Sequence, residues 1–260
     1  MELEGKVAVI TGSTAGIGRA SARLFAARGA SVVVSGLNDA AGKATVAEIA
    51  AAGHRAVYRR CDVTDIAQID ALVAFAADHF GGVDIFWHNA GTTSAAVTSD
   101  DAGYHRLLTE ADWDQQMAVH LKAGFFGARS AVDEMIKRGG GAILFTSSAA
   151  ALKPPVGTAP PYPIAKHGLI LLARMMAVAL AKDNIRVNAI CPAAVRTAMI
   201  EKLMVDAGGA DLVEALVKQM PMGRILELEE VARTALFLVS DQASALTGTA
   251  LPVDGGRTAL

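Results

Sequence analysis

A chain of 260 residues, with 52% hydrophobic and 19% charged side chains, can bury a large core, which excludes an intrinsically disordered protein. A formal net charge of -2, with no basic stripe or run of like charges, argues against nucleic acid as a partner. The start, MELEGKVAVITG, is acidic and runs straight into a strand pattern, unlike a secretory leader. No apolar stretch approaches the roughly 18 charge-free residues of a bilayer span, so we expect a soluble protein with no membrane partner. Cys61 and Cys191 are far apart and match no metal-ligand spacing. They read as small hydrophobes, so no metal is expected, and the usage fits a reducing cytoplasm.

Seven short apolar runs read as strands in chain order: 6–11 (KVAVIT), 30–35 (ASVVVS), 55–60 (RAVYRR), 83–88 (VDIFWH), 141–147 (GAILFTS), 185–190 (IRVNAI) and 249–253 (TALPV). Several are almost continuous Val, Ile and Ala, the composition of strands covered on both faces. Between them, alanine-rich segments at 16–28, 65–80, 110–136 and 161–181 carry helical spacing. The alternation predicts an α/β fold, a Rossmann-like doubly wound parallel sheet of about seven strands with helices on both faces. With no repeat, low-complexity tract or linker, residues 1–260 read as a single domain. Two stretches break the rhythm. Residues 92–109 are polar and glycine-bearing and read as a long loop, often a functional feature in compact domains. Residues 197–223 set apolar side chains at helical spacing around a Gly-Gly break. We expect two short helices there, in a flexible substrate-binding segment, ahead of a helix starting near Leu226.

The first strand runs into VITGSTAGIGRA, with Gly12, Gly16 and Gly18 in the pattern G-x3-G-x-G. Glycine lets a backbone turn tightly and approach a ligand with no Cβ between them. The helix that follows presents free N–H groups and a partial positive charge, which suits a phosphate. At the first strand–helix turn of a parallel sheet, this is the setting of a dinucleotide site, so Gly12, Ser13, Gly16, Ile17 and Gly18 are candidate cofactor residues. An acid about 20 residues further on usually takes the adenosine ribose. Here the second strand ends in VVVSGLND. Gly36 and Leu37 hold that place, and Asp39 comes late and reads as a cap of the next helix. No Arg or Lys stands among Ala15, Gly36 and Leu37 to meet a 2′-phosphate. A missing cation weighs more against a phosphate dianion than a missing acid weighs against a neutral hydroxyl. NAD is therefore favoured, with NADP left open.

The stretch PPYPIAKHG, residues 160–168, sets Tyr162 and Lys166 one helical turn apart on the same face. A phenol works as an acid/base near neutrality only when its anion is stabilised. Lowering its pKa from about 10 to about 7 takes roughly 4 kcal/mol, at about 1.36 kcal/mol per unit, so a helping ammonium must be rigidly held. Pro161 and Pro163 fit the first turn of a helix, where a missing N–H costs nothing, and they put the phenol at the helix mouth. Upstream, ILFTSSAAA ends the fifth strand. Ligands of open parallel sheets sit beyond the carboxyl ends of strands, where a serine can donate to a developing alkoxide. The fourth strand ends in HNAG, whose Asn89, Ala90 and Gly91 would border a cofactor.

Together these residues resemble the short-chain dehydrogenase/reductase family. The resemblance covers T-G-x3-G-I-G at 11–18, Asp62 in CDVT, N-A-G at 89–91, Ser148, the Tyr162-x3-Lys166 pair, NAICPAAVRT at 188–197 and VDGG at 253–256. The three-residue gap between tyrosine and lysine differs from the longer gap of the family's enoyl reductases. What the resemblance implies is one dinucleotide-binding catalytic domain over 1–260 and reversible hydride transfer between a nicotinamide cofactor and a secondary alcohol or ketone. It implies Tyr162 as general acid/base and Lys166 as its electrostatic partner, also holding the nicotinamide ribose. Ser148 would polarise the substrate oxygen, with Ser147 pointing to the other face. Gly12, Ile17 and Asn89 would lie along the cofactor, Asp62 and Val63 at its adenine, and Val195 and Thr197 at its carboxamide. Leu37 would stand beside the ribose. The resemblance and the apolar stretch ALTGTALPVDGGRTAL near the chain end together suggest a homotetramer.

Three positions depart from the family pattern. His120 stands where asparagine is usual. In the family the carbonyl of that residue holds a water next to the lysine, and its side chain holds a kink in the helix. His120 can take the same structural role, or its imidazole can titrate near neutrality and relay the proton. His88 replaces another asparagine and is expected near the adenosine. Ala193 replaces a glycine. Met199, Leu203, Met204, Leu212, Leu216 and Met220 suggest an apolar pocket and a hydrophobic substrate, aromatic or alicyclic. Two other readings stay open. One is a reductase of carrier-bound 3-oxoacyl chains, with Lys153 and Lys202 meeting the carrier. The other is a non-catalytic nucleotide-sensing protein, which would need neither Ser148 nor the Tyr162–Lys166 pair.

Overall fold

A computed structural model describes residues 1–92, 108–154, 159–197 and 209–259. Its strands are β1 (Val7–Ile10), β2 (Ser31–Gly36), β3 (Ala56–Arg60), β4 (Ile85–His88), β5 (Gly141–Thr146), β6 (Ile185–Pro192) and β7 (Ala250–Val253). They pair in parallel, in the order β3-β2-β1-β4-β5-β6-β7. The helices are α1 (Gly16–Ala27), α2 (Asp39–Ala51), α3 (Ile66–Phe80), α4 (Glu110–Gln116), α5 (Ala123–Lys137), α6 (Ala149–Leu152), α7 (Pro161–Leu180), α8 (Gly209–Lys218) and α9 (Leu228–Val239).

Successive strand side chains point to opposite faces, and here both faces are apolar. Val7, Val9, Phe86, Ile143 and Phe145 join the core beneath α3, α5 and α7. Ala8, Ile10, Ile85, Trp87 and Leu144 join the core beneath α1 and α9. This two-sided burial is why the strands read as unbroken hydrophobic runs. α5 lies close to the sheet because it presents small residues. A Cβ at Gly127 would stand 2.4 Å from the Phe86 ring.

β1 has β2 on one side and β4 on the other, so the chain direction across the sheet reverses there. In open parallel sheets the crevice beyond the carboxyl ends of such strands is the ligand position. The glycine turn at 11–18 and the stretch 89–91 border it.

Several elements differ from expectation. The helix expected over 110–136 is divided: α4 gives way to a π-helical turn over Met117–Lys122, which leads into α5. One extra residue in a turn leaves the apolar spacing nearly unchanged, so periodicity alone runs the helix through. The cap of α2 is Asn38, whose Oδ1 accepts from Ala41 N at 3.0 Å. Asp39 is the first helical residue, and its carboxylate accepts from Tyr58 and Arg60 instead. α9 starts at Leu228, behind a reciprocal cap made by Glu227 and Glu230. α8 falls within the segment 197–223, while the helix expected before it and the loop at 93–107 lie outside the described residues. Pro161–Asp183 is long and apolar enough to cross a bilayer by length and composition. It carries Lys166 and Arg174, and one of its faces lies in the core.

Candidate active site

The glycine turn is held from below by side chains. Ser13 Oγ donates to Ile10 O at 2.6 Å and accepts from Ser35 N at 2.9 Å, and Ser13 N donates to Ser35 O at 2.8 Å. Ser13 is thus a strut of the turn, with its N–H and its hydroxyl proton engaged within the protein. Asn89 Nδ2 donates to Thr11 O at 3.3 Å and to Gly12 O at 3.1 Å, so Asn89 shapes the turn through its backbone. The Thr146 hydroxyl donates to Asn89 Oδ1 at 3.1 Å and accepts from Trp87 Nε1 at 2.8 Å. Ala90 packs flush against the turn: a Cβ at Gly12 would lie 2.6 Å from Ala90 Cα, and one at Gly18 would lie 2.4 Å from Gly12 O. Ile17 is half-buried on the core below.

α1 begins with no side-chain cap and no acid in its first turn. Its first N–H groups and its positive end are therefore open to a phosphate. Across the crevice, the Thr197 methyl stands 3.6 Å from the Cβ position of Gly16, and Val195 is buried and bridged to Leu226. A cradle that only glycine allows, an open helix terminus and the switch point of the sheet together fit a dinucleotide.

At the far end of the crevice the structure adds a residue that the local sequence did not reveal. The β2–β3 register sets Arg60 opposite Gly36, and Arg60 Nη1 donates to Leu37 O and, at 3.3 Å, to Asp39 Oδ1. The Tyr58 hydroxyl donates to the same Oδ1 at 2.8 Å, and this bond holds the Asp39 carboxyl below its ordinary range. Leu37 is 55% exposed beside this group. Asp62 accepts from Thr64 N and Thr64 Oγ1, at 2.9 and 2.8 Å, which fixes its loop. Val63 turns its side chain into the core, so it can meet an adenine only through its backbone. His88 is not near the adenosine. It is buried under the glycine turn and bonded to Thr11, because the strand directs it inward.

Ser148, Tyr162 and Lys166 come together beyond the end of β5. Ser148 caps α6, accepting from Ala150 N at 3.1 Å, and shares a hydrogen bond with the Tyr162 phenol. Ser147 points the other way, as alternation requires, and donates to Lys166 O at 2.7 Å. Lys166, 3% exposed, donates from Nζ to Thr146 O at 2.8 Å. Its Nζ lies 5.8 Å from the centre of the Tyr162 ring.

The electrostatics differ from expectation. Burial pushes Tyr162 above 10, with the Ser148 hydrogen bond pulling the other way, and burial lowers Lys166 to about 7. Burial opposes the phenolate, and a positive charge on the neighbouring Lys166 favours it.

His120 sits in the π turn, buried. Its Nε2 lies 3.0 Å from Thr92 O and 3.1 Å from Gln116 Oε1, so Nε2 carries the proton and donates. The ring packs edge-on against Tyr162, with centres 5.4 Å apart. Gly91 gives it room, since a Cβ there would stand 2.8 Å from His120 Cε1. Burial first, and Lys166 second, lower its pKa to about 2. A proton relay that titrates near neutrality does not fit this imidazole, whereas a neutral donor that braces the helix does. Of the apolar residues singled out in 197–223, Met220 is buried in the core with Leu226 and Val231. Met199, Leu203 and Met204 lie outside the described residues. His120→Asn is expected to keep turnover within roughly tenfold of wild type, with an unmoved pH–rate profile, because the group removed does not titrate between pH 5 and 8. Loss or displacement of one limb would restore the relay.

The family model described as enoyl-(acyl carrier protein) reductase matches residues 12–258. The 2,5-dichloro-2,5-cyclohexadiene-1,4-diol dehydrogenase LinX of Sphingobium indicum is 35% identical over 254 residues, covering 98% of this chain and 96% of LinX. The (2S)-[(R)-hydroxy(phenyl)methyl]succinyl-CoA dehydrogenase subunit BbsD of Thauera aromatica is 34% identical over 258 residues, covering 99% and 98%. A solved structure of a provisionally named short-chain alcohol dehydrogenase from Sinorhizobium meliloti 1021 has a TM-score of 0.90 at 34% identity, covering 99% and 98%. With these relatives matched end to end, and serine, tyrosine and lysine gathered above a dinucleotide cradle, the chain belongs to the short-chain dehydrogenase/reductase family and is an alcohol oxidoreductase that uses a nicotinamide cofactor.

Proposed function

We propose that this enzyme interconverts a hydrophobic, ring-bearing secondary alcohol and its ketone, with NAD as cofactor, as a cytoplasmic homotetramer free of membrane and nucleic acid. The observation that carries the chemistry is the gathering of Ser148, Tyr162 and Lys166 at the carboxyl end of β5, beside the crevice at β1 and β4. In oxidation, Tyr162 Oη as phenolate takes the hydroxyl proton of the alcohol while the carbinol C–H bond breaks and C=O forms. Ser148 Oγ orients the substrate oxygen. Lys166 stabilises the phenolate with its charge. A bound nicotinamide supplies the hydride acceptor or donor and, when oxidised, a positive ring. Reduction runs the same transfers backwards.

A ring-bearing substrate is favoured by the names of two relatives, one a cyclohexadiene diol dehydrogenase and the other a dehydrogenase of a phenyl-bearing alcohol. The three-residue spacing of Tyr162 and Lys166 favours a carbinol or carbonyl group over an enoyl one. For the carrier-bound alternative, Lys153 is exposed at the end of α6 and Lys202 lies outside the described residues. Tyr162→Phe should keep its fold and NADH affinity and lose at least about a hundredfold in turnover. In wild type, alcohol oxidation should rise with pH, because the base form of Tyr162 exists only above its pKa. Near-normal turnover of Tyr162→Phe across a panel of alcohols would remove the mechanism.

For the cofactor, the Asp39 carboxylate just past the end of β2 accepts from Arg60 and Tyr58, and a carboxylate with an engaged guanidinium there favours a hydroxyl over a phosphate. NAD should bind more tightly than NADP. A Cβ at Gly36 would stand 2.8 Å from the Thr14 side chain, so the informative substitution is at the open Leu37. Leu37→Arg should narrow or reverse the gap by supplying a phosphate partner. A wild-type preference for NADP of tenfold, about 1.4 kcal/mol, would contradict the assignment and make Arg60 the phosphate's partner.

For the oligomer, Leu171, Met175 and Val178, at successive turns, form an exposed apolar stripe on α7, the last 83% exposed, and Phe125 and Ile136 are also exposed on α5. Contiguous apolar surface of this kind marks an interface. Light scattering at micromolar concentration should give the mass of four chains, and a monomer's mass would refute it.

A further inference from the structure

His88 ends β4, is 1% exposed, and takes no part in the chemistry above. Its hydrogen bonds can be assigned by counting. A threonine hydroxyl has two acceptor sites and one proton. Asn89 N and Ala90 N each donate to Thr11 Oγ1 at 3.1 Å, which fills both acceptor sites. The Thr11 proton is left for His88 Nδ1, 3.2 Å away. Nδ1 is therefore the bare nitrogen, and the ring proton is on Nε2. Nε2 donates to Val119 O at 3.1 Å. Val119 lies in the π turn, where the change from four-residue to five-residue hydrogen-bond spacing releases a carbonyl from the helix ladder. Burial, then Lys166, holds this imidazole at a pKa of about 3, so the arrangement does not change near neutrality. Gly124 leaves space for the ring, as a Cβ there would stand 3.2 Å from His88 Cδ2.

We propose that His88 is a positioning residue that ties the two walls of the crevice together, holding the dinucleotide turn through Thr11 and the π turn through Val119. The residue after Val119 is His120, whose ring packs on Tyr162. A displacement of the turn that receives the cofactor is thereby carried to the wall that supports the general acid/base. The inference rests on the oxidoreductase reading of this site.

Three substitutions test it, each first checked for a folded circular dichroism spectrum and cooperative melting. His88→Asn keeps an acceptor near the position of Nδ1 and cannot reach Val119. His88→Gln can offer an acceptor and a donor at once. Thr11→Val removes the hydroxyl at nearly constant volume. The main readout is amide hydrogen exchange at residues 117–124, which needs no substrate. Exchange there should rise at least about tenfold in His88→Asn and in Thr11→Val, no further in the double variant, and return toward wild type in His88→Gln. Nitrogen-15 spectra of the wild type should show His88 neutral, with its proton on Nε2. In His88→Asn, NADH affinity should stay within about threefold while kcat falls about tenfold. Wild-type exchange at 117–124 in Thr11→Val, additive effects in the double variant, or a proton on Nδ1 would each overturn the link. Tyr162→Phe separates the two levels: if it loses turnover while His88→Asn does not, the link fails alone, and if it too turns over normally, the underlying mechanism fails.

Discussion

Two hydrogen bonds join the end of β5 to α7, one in each direction, and the active site depends on them. Lys166 Nζ donates to Thr146 O at 2.8 Å, and Ser147 Oγ donates to Lys166 O at 2.7 Å. A buried ammonium without a partner is among the costliest groups a core can hold. Here the cost shows as a lysine lowered to about 7, and the Thr146 carbonyl offsets part of it. Hydrogen bonds to charged groups contribute about 1.5–3 kcal/mol. The pair sets the height of α7 on the sheet, and with it the place of Tyr162 one turn earlier. Thr146 serves both halves of the site, since its carbonyl takes the lysine and its hydroxyl donates to Asn89, which braces the glycine turn.

The second constraint is closeness of backbone. The glycine turn and the stretch 89–91 approach until no Cβ fits at Gly12 or Gly18, and the His120 ring leaves no room for one at Gly91. That contact leaves the N-terminus of α1 open and uncapped at the sheet's switch point, and it brings the π turn against Gly91. Above it, two buried imidazoles work as neutral hydrogen-bonding groups. Burial and, after it, the nearby Lys166 depress the pKa of both.

Much of this architecture is written in local pattern. Seven apolar runs became seven strands because alternation and two-sided burial are properties of adjacent residues. The glycine turn, the proline-led start of α7 and the Tyr162–Lys166 pair lie within single elements, where spacing alone sets geometry. Ser147 and Ser148 divided between two faces for the same reason. With the family resemblance, these were enough to single out Tyr162, Lys166 and the glycine turn as candidates.

What tertiary structure decided lies between elements. Arg60 stands beside Leu37 because β3 pairs with β2 in a register that sets it opposite Gly36. Ser13 became a strut because β2 offers its backbone there. Asn38 rather than Asp39 caps α2 because Tyr58 and Arg60 reach across from β3 to claim the carboxylate. The π turn inserts a residue without altering the apolar period, and His88 and His120 acquire their partners only once β4 and that turn meet. Periodicity records which side of an element is buried, and nothing in it records which atom of another element will lie opposite. That is set by strand register and helix placement, which the whole core determines together.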